Sequence, residues 1–299
     1  MGIQTLLPDA PNRELRPAAV DRPPRGVAPW ARRVDFARYI LSGAPAWRHV
    51  TQTLPIAELC RAALMGLYGS LFLQPDGSRG RSAMFAGKDE TGSPLEGHNH
   101  AYYLPTDEDG DGLLDHLTVY AAGEFDAAHQ AALGGLSFLR LPDGESNLNL
   151  ELAGIGQANE IGCGPLAMAD RWESVTPYVA TRFAKVRGAQ AGSRVEFLLS
   201  DLTIQLAKFC QRHNEPKVVT IEPLLRDGIF CHPQSGGAPA GKFTRSRVRR
   251  ADNGGTRYCG YFSVRFAGPV RGPLALGHNA HYGLGLFLPV GAGKGGSGL

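Results

Sequence analysis

The order in which strand-like and helix-like patterns follow one another is the strongest constraint on the fold of this chain. In the first half, apolar residues recur every second position in strand-like segments and every three to four positions in helix-like ones. In chain order the segments are a strand at 34–41, a helix at 55–68, strands at 101–104 and 114–121, a helix at 125–138 and a strand at 148–153. Thr53 is the predicted N-cap of the first helix.

The second half carries a similar but less complete series. Its segments are a strand at 172–184, a helix at 194–213 and strands at 218–224, 258–266 and 284–290. The order β-α-β-β-α-β is that of a ferredoxin-like unit. The sequence therefore predicts an α+β protein of two tandem ferredoxin-like, RRM-like domains with a Gly-rich loop near the C-terminus. We expect domains at 31–160 and 161–290, a flexible Pro/Arg-rich arm at 1–30 and a flexible tail at 291–299.

Cysteine spacing and hydropathy predict the compartment. The five cysteines form no C-x-x-C pair, which argues against a disulfide framework or a zinc site and is typical of a reducing cytoplasm. No apolar run reaches membrane-spanning length, and the N-terminus lacks the apolar core of a signal peptide. We expect a cytoplasmic protein with no membrane partner.

The net charge of +3 conceals strong local asymmetry. Residues 241–271 hold eight Lys and Arg against one acid, Asp252, whereas residues 88–126 hold ten acids against Lys88. A basic stretch in a nearly neutral chain is typical of a nucleic-acid groove on one face, and the alternative is a solvated loop.

The segment 97–105 carries the candidate catalytic groups. His98 and His100 precede a predicted strand and would project to the same side if extended. A histidine can take the proton of an RNA 2′-hydroxyl near neutral pH, and Lys88 or a nearby arginine could stabilise the charge that develops on the phosphate. The alternative is a hydrogen-bonded loop or half a metal site.

The acidic loop 107–115 resembles most of a calcium loop. Asp107, Asp109, Asp111 and Asp115 occupy positions 1, 3, 5 and 9, and Gly112 occupies position 6. Position 12 is Thr118 where a calcium loop has a bidentate Glu. A partial structural calcium site and a simple Asp/Gly turn are equally good interpretations.

A Gly-rich stretch at 268–287 could let backbone approach a phosphate closely. His278, His281, Tyr282 and Arg271 add donors and stacking surfaces to it, as RNA-binding loops require. Taken alone, this stretch is more typical of a bulged hairpin, and the basic run just before it adds weight to RNA binding.

In combination, these segments resemble one family. They are Gly87-Lys88-Asp89, Gly97-His98-Asn99-His100-Ala101, the 107–115 loop with His116-Leu117, Thr176-Pro177-Tyr178, and the stretch that ends at 277–287. From about residue 30 to residue 290 the chain resembles the type I-U (I-G) CRISPR repeat-processing endoribonucleases of the RAMP superfamily. In that family a backbone-capping subunit is fused ahead of the nuclease, and we expect only the nuclease half here.

The resemblance implies metal-independent cleavage of precursor CRISPR RNA within its repeats. The implied products carry a 2′,3′-cyclic phosphate and a 5′-hydroxyl, and the enzyme could join a CRISPR surveillance complex used in antiviral defence. The implied catalytic residues are His98 or His100, with His116, Tyr103 and Lys88 as helpers. The expected RNA-binding residues are Arg245, Arg247, Arg249, Arg250, Arg271, Gly277, His278, His281, Gly283 and Gly285.

Two other functions remain open from the sequence. The first is a non-catalytic RNA-holding subunit of the same fold, in which the histidines are structural. The second is a calcium-responsive binding module centred on the 107–115 loop.

Overall fold

A computed structural model describes residues 33–162, 164–184, 194–232, 237–248 and 252–290. The predicted arm at 1–30 and the predicted tail at 291–299 lie outside these residues. The described helices are α1 (Thr53–Leu71), α2 (Ala83–Ala86), α3 (Ala127–Gly135) and α4 (Arg194–His213). The mixture of helices and antiparallel sheets confirms the α+β class.

Fourteen strands are described, and most of them belong to two five-stranded sheets. They are β1 (Phe36–Ser42), β2 (Tyr102–Thr106), β3 (His116–Tyr120), β4 (Phe138–Arg140), β5 (Asn147–Gly156), β6 (Met168–Ser174), β7 (Tyr178–Val179), β8 (Val218–Pro223), β9 (Leu225–Arg226), β10 (Ile229–Phe230), β11 (Cys259–Gly260), β12 (Phe262–Arg271), β13 (Leu274–Ala275) and β14 (Leu286–Pro289).

The two large sheets have the same internal order. The first runs β2-β3-β1-β5-β4 and the second runs β8-β12-β6-β14-β13, and neighbouring strands are antiparallel in both. In each half, therefore, the strand that follows the first long helix (β2 or β8) lies at one edge of the sheet. A short additional strand (β4 or β13) lies at the other edge. Short ladders join β7 to β11 and β9 to β10.

The halves differ in what covers each sheet. In the first half α1 packs against α3 and β2. In the second half α4 packs against β8, and the Gly-rich segment lies in the chain where the first half has α3. Buried residues of both halves, including Tyr39 and Trp172, belong to one continuous apolar cluster. The two sheets are therefore docked through a shared core.

Several predicted element bounds are corrected by tertiary contacts. Thr53 is the first residue of α1, and Gln52 is the N-cap. An N-cap side chain accepts from a backbone N–H of the first turn, whereas the hydroxyl of Thr53 donates to the carbonyl of Val50 at 2.7 Å. The predicted strand at 172–184 is interrupted after β6, where Pro177 has no N–H for a ladder. The predicted helix at 125–138 corresponds to α3 and ends at Gly135, because the chain turns at once into β4. The segment 74–97, between the first predicted helix and the strand at 101–104, contains α2.

Candidate active site

A cleft of about 830 Å³ lies where three parts of the chain meet. One wall is the segment that enters β2, another is the Gly-rich segment before β14, and the third is the C-terminal end of α4. The predicted groups Lys88, His98 and His100 all line this cleft, together with His281 from the other half of the chain. The fold therefore brings the H-x-H segment and the Gly-rich segment into one site.

Stacked rings form the centre of this site. The ring of His281 stacks on the ring of His100 with centroids 3.9 Å apart, and on the ring of Tyr102 at 3.7 Å. Nδ1 of His98 lies 2.9 Å from Nε2 of His281. Nδ1 of His281 lies 3.2 Å from the carbonyl oxygen of Ala101. We call His98, His100 and His281 the histidine cluster.

These contacts decide which nitrogens of the cluster carry protons. The carbonyl of Ala101 can only accept, so Nδ1 of His281 must donate to it. In the neutral ring Nε2 of His281 is then unprotonated, and it accepts a hydrogen bond from Nδ1–H of His98. Nε2 of neutral His98 is consequently left without a proton and can act as a base.

Burial keeps the cluster neutral. Burial, with a smaller effect of the neighbouring imidazole of His100, lowers the pKa of His281 to about 3. Burial, with His98 and Arg61 nearby, lowers the pKa of His100 to about 4. Burial, with Arg212 and His213, also lowers the pKa of His98. At pH 7 all three rings are therefore predominantly uncharged.

The backbone of the H-x-H segment before β2 is not extended, so the condition under which His98 and His100 would project to the same side is not met. Gly97 has φ +83° and His98 has φ +57°, a left-handed conformation that few non-glycine residues adopt. Such strain is often found at functional sites, where surrounding contacts hold it in place. Here the turn allows the ring of His98 to reach Nε2 of His281.

Gly87 explains one part of the Gly-Lys-Asp motif. It ends α2 with φ +66°, and a Cβ at this position would lie 2.7 Å from the ring of His100. A glycine is required there for the ring of His100 to lie flat against the backbone. Lys88 follows at once and is exposed at the edge of the cleft.

The cleft is strongly basic. Its lining contains six Lys and Arg residues and a single acid, Glu215. The cations are Arg61, Lys88, Lys208, Arg212, Arg247 and Arg271. Nε of Arg61 is buried without a hydrogen-bond partner in the part of the chain that the structure describes, as is Nδ1 of His100. Buried polar groups without partners are uncommon, and both lie in a site suited to a polar anionic ligand.

Two predicted helper residues are corrected. Tyr103 is only 1% exposed, and its hydroxyl donates to the carbonyl of Phe85 at 2.9 Å, so it braces the cleft wall from inside. His116 pairs with Thr106 at the end of β2 farthest from His100. At about 3.4 Å per strand residue the two histidines are separated by roughly the length of β2. His116 bonds Asp115 and cannot serve this site.

The predicted RNA-binding arginines have different surroundings. Arg245 donates to the carbonyls of Arg257 and Gly255, so its guanidinium holds the loop together. Arg247 and Arg271 line the cleft, although Nε of Arg247 also donates to Glu58 at 2.7 Å. Arg249 and Arg250 lie outside the described residues.

The glycines and His278 of the Gly-rich segment serve mainly to pack it against the protein. Gly283 and Gly285 are buried, and a Cβ on Gly285 would lie 1.9 Å from the carbonyl oxygen of Leu276. A Cβ on Gly277 would lie 2.5 Å from the carbonyl oxygen of Val179. Nε2 of His278 pairs with Asp252 at 2.7 Å. These four residues position the loop, and His281 is the histidine of the loop that stacks within the histidine cluster at the cleft.

The Thr176-Pro177-Tyr178 motif anchors that same loop. The hydroxyl of Thr176 donates to the carbonyl of Gly283 at 2.6 Å and accepts from the N–H of Leu286. The N–H of Gly285 donates to the carbonyl of Pro177 at 2.9 Å. The two motifs, distant in sequence, form one structural unit.

The acidic loop lies at the opposite end of the β2–β3 hairpin from the histidine cluster and is therefore remote from it. Asp107, Asp109 and Asp115 each bring a carboxylate oxygen within 4.8 Å of the others. Asp111 is outside this group and accepts from the N–H of Leu113. Burial, with repulsion from Asp115, raises the pKa of Asp107 to about 6. Three carboxylates supply only part of the six to eight oxygens that calcium prefers.

Sequence reasoning missed the third wall of the cleft. Gln205, Lys208, Arg212 and His213 line it from the last turns of α4. Lys208 and Arg212 are four residues apart and therefore share one helix face. That basic stripe was visible in the sequence, whereas its position opposite His98 was not. Tyr102, which stacks on His281, was also missed.

Comparisons with protein-family models, curated proteins and solved structures found no match to this chain. Within the described residues, every helix is too short or too polar to cross a bilayer. The function is therefore argued from the site.

Proposed function

We propose that this protein is a metal-independent endoribonuclease that cleaves precursor CRISPR RNA within its repeats. The observation that carries the proposal is the 2.9 Å contact from Nδ1 of His98 to Nε2 of His281 inside a basic cleft. It leaves an accessible imidazole nitrogen free to take a proton at a place where phosphates would be attracted. The choice of CRISPR repeat RNA as substrate follows from the family resemblance of the motifs.

The reaction uses a nucleophile that RNA itself provides. Nε2 of His98 removes the proton of a 2′-hydroxyl, and that oxygen attacks the adjacent phosphorus. A P–O2′ bond forms and the P–O5′ bond breaks, which gives a 2′,3′-cyclic phosphate and a 5′-hydroxyl end. No water has to be activated, so the step needs no bound metal ion.

The cleft also supplies charge where the reaction needs it. The ammonium of Lys88 lies at the edge of the cleft and Arg61 lies in its wall, on the same side as His100. Preorganised cations beside a phosphate that gains negative charge lower the barrier of the attack. Arg212 and Lys208 on α4 would hold the flanking phosphates of the strand.

The architecture supports the same substrate class. Both large sheets repeat the strand order that two ferredoxin-like units would give, and the cleft lies between them. Single-stranded RNA is recognised by stacking of its bases on aromatic rings and by contacts to its backbone. Tyr102 and Tyr120 line the cleft and place aromatic rings beside its cationic residues.

Cleavage of CRISPR repeat RNA from the genome that encodes the chain tests the proposal. Purified protein in excess chelator should cut a labelled repeat at one position and leave a 2′,3′-cyclic phosphate. His98→Ala should lower the single-turnover rate by about 10²–10⁴-fold. His49→Ala is the matched control, because His49 is exposed and lies outside the cleft lining. Uncut RNA, or an unchanged rate in His98→Ala, would contradict the proposal.

A non-catalytic RNA-holding subunit is the second candidate. The basic lining of the cleft favours it, because a cationic groove can hold the RNA backbone without any proton transfer. Tight binding of the repeat with intact RNA after long incubation would identify this function.

A further inference from the structure

His213 lies on the wall of the cleft opposite the histidine cluster. It is the last residue of α4, its side chain is exposed, and it lines the same cleft as His98. Its charge acts on His98 across that cleft. The ring of His213 packs on Phe209 one turn earlier, with centroids 4.7 Å apart, which restricts its orientation.

The proposed cleavage needs a second proton-transfer group. When the P–O5′ bond breaks, the departing oxygen would leave as an alkoxide, which is a very poor leaving group unless it is protonated. His100 and His281 are poorly suited, because burial lowers the pKa of His100 to about 4 and that of His281 to about 3, so both rings are unprotonated even at slightly acidic pH. The hydroxyl of Tyr103 is engaged with Phe85 inside the wall.

We propose that His213 is the general acid of this site and donates a proton to the 5′-oxygen as the P–O5′ bond breaks. The inference rests on the proposed function. In one turnover the proton of the 2′-hydroxyl passes to Nε2 of His98 and the proton of His213 passes to O5′. One P–O bond forms and one breaks, and solvent returns both histidines to their starting states.

The surroundings of His213 suit a group that cycles between charged and neutral forms. The C-terminal end of a helix favours a positive charge, and the carboxylate of Glu215 also raises the pKa of His213. Burial and Arg212 act in the opposite direction and lower its pKa overall. His98 and Lys208 also line the cleft that His213 faces. A pKa below 6.5 makes the imidazolium a stronger acid, which favours donation at slightly acidic pH.

A sulfur substitution at the leaving group tests this role directly. A repeat RNA with sulfur in place of O5′ at the mapped cut site releases a thiolate, which leaves readily without protonation. His213→Ala should cut the oxygen substrate about 10²–10⁴-fold more slowly than wild type and the sulfur substrate at nearly the wild-type rate. His98→Ala should remain impaired on both, because the 2′-hydroxyl still has to lose its proton.

The outcomes separate this inference from the proposed function. An equal loss on both substrates in His213→Ala, or no loss on either, overturns the assignment of His213 while cleavage by wild type stands. Failure of wild type to cut either RNA overturns the proposed function and the assignment with it. His213→Gln, which keeps a hydrogen-bonding side chain, should behave as His213→Ala does. His49→Ala should match wild type on both substrates.

Discussion

His98 and His281 are 183 positions apart in the sequence, yet Nδ1 of one lies 2.9 Å from Nε2 of the other. The second contact of His281, to the carbonyl of Ala101, makes its Nε2 the acceptor. His281 thus fixes the tautomer of His98 and leaves Nε2 of His98 unprotonated. In the proposed reaction His281 would be a positioning residue and His98 the base.

Replacement of His281 tests this relationship. His281→Phe keeps a ring that can stack on His100 and Tyr102 but removes the acceptor for His98. We expect kcat to fall while KM changes little, because the ring still packs between His100 and Tyr102 and only the orientation of the base is lost. His281→Gln, whose amide can both donate and accept, should recover part of kcat. A change confined to KM would show that His281 acts in binding alone.

The pH dependence of cleavage tests whether His98 is the general base. Burial lowers the pKa of His98, so its ring loses its proton below pH 6.5. With the sulfur substrate, which needs no acid, the rate should rise with pH through that lowered pKa and then reach a plateau. With the oxygen substrate it should fall again as His213 loses its proton. A sulfur-substrate profile that still rises above pH 8 would exclude His98 as the base.

The salt dependence of RNA binding tests whether the wall of the cleft formed by α4 contacts the RNA. Lys208→Gln and Arg212→Gln should each weaken binding and lower the slope of log Kd against log salt concentration by about 1, because each removes one phosphate contact. Arg226→Gln is the control, since Arg226 is exposed on β9 and does not line the cleft. An unchanged slope in both α4 variants would place the RNA elsewhere.

Stability measurements test whether the glycines of the Gly-rich segment serve to pack it against the protein. Gly285→Ala places a Cβ against the carbonyl of Leu276 at φ +60°, so we expect a loss of about 2–4 kcal/mol in the free energy of unfolding. Gly66→Ala, at an open and exposed position of α1, should instead stabilise the protein by about 0.5–1 kcal/mol. Denaturant unfolding measures both, and wild-type stability of Gly285→Ala would contradict the packing role.

Calcium addition tests the acidic loop. The mutual repulsion of Asp107, Asp109 and Asp115 should be relieved by a divalent cation, so millimolar calcium is expected to raise Tm. The rise should be larger above pH 6, where Asp107 is ionised, and smaller in Asp109→Asn. Asp143→Asn, in a separate exposed turn, is the control. Cleavage in chelator should be unaffected, because the loop is remote from the histidine cluster. An unchanged Tm would leave the loop as an Asp/Gly turn.

Local periodicity was sufficient for most elements. The predicted helix at 194–213 matches α4 residue for residue, because its apolar stripe is long and regular. The basic character of 241–271 predicted where two cleft arginines come from, but not that Arg245 is turned inward against backbone carbonyls. A count of charges carries no information on which of them stay exposed.

The candidate site was predictable only in part. The sequence by itself determined that an H-x-H segment precedes a strand and that a Gly-rich segment with His281 precedes the last one. Only the tertiary structure decided that these two segments meet, that His116 and the acidic loop lie at the far end of β2, and that His213 faces His98. The physical reason is that such contacts depend on how the two sheets dock through their shared core, and pairings at long sequence separation leave no local pattern to read.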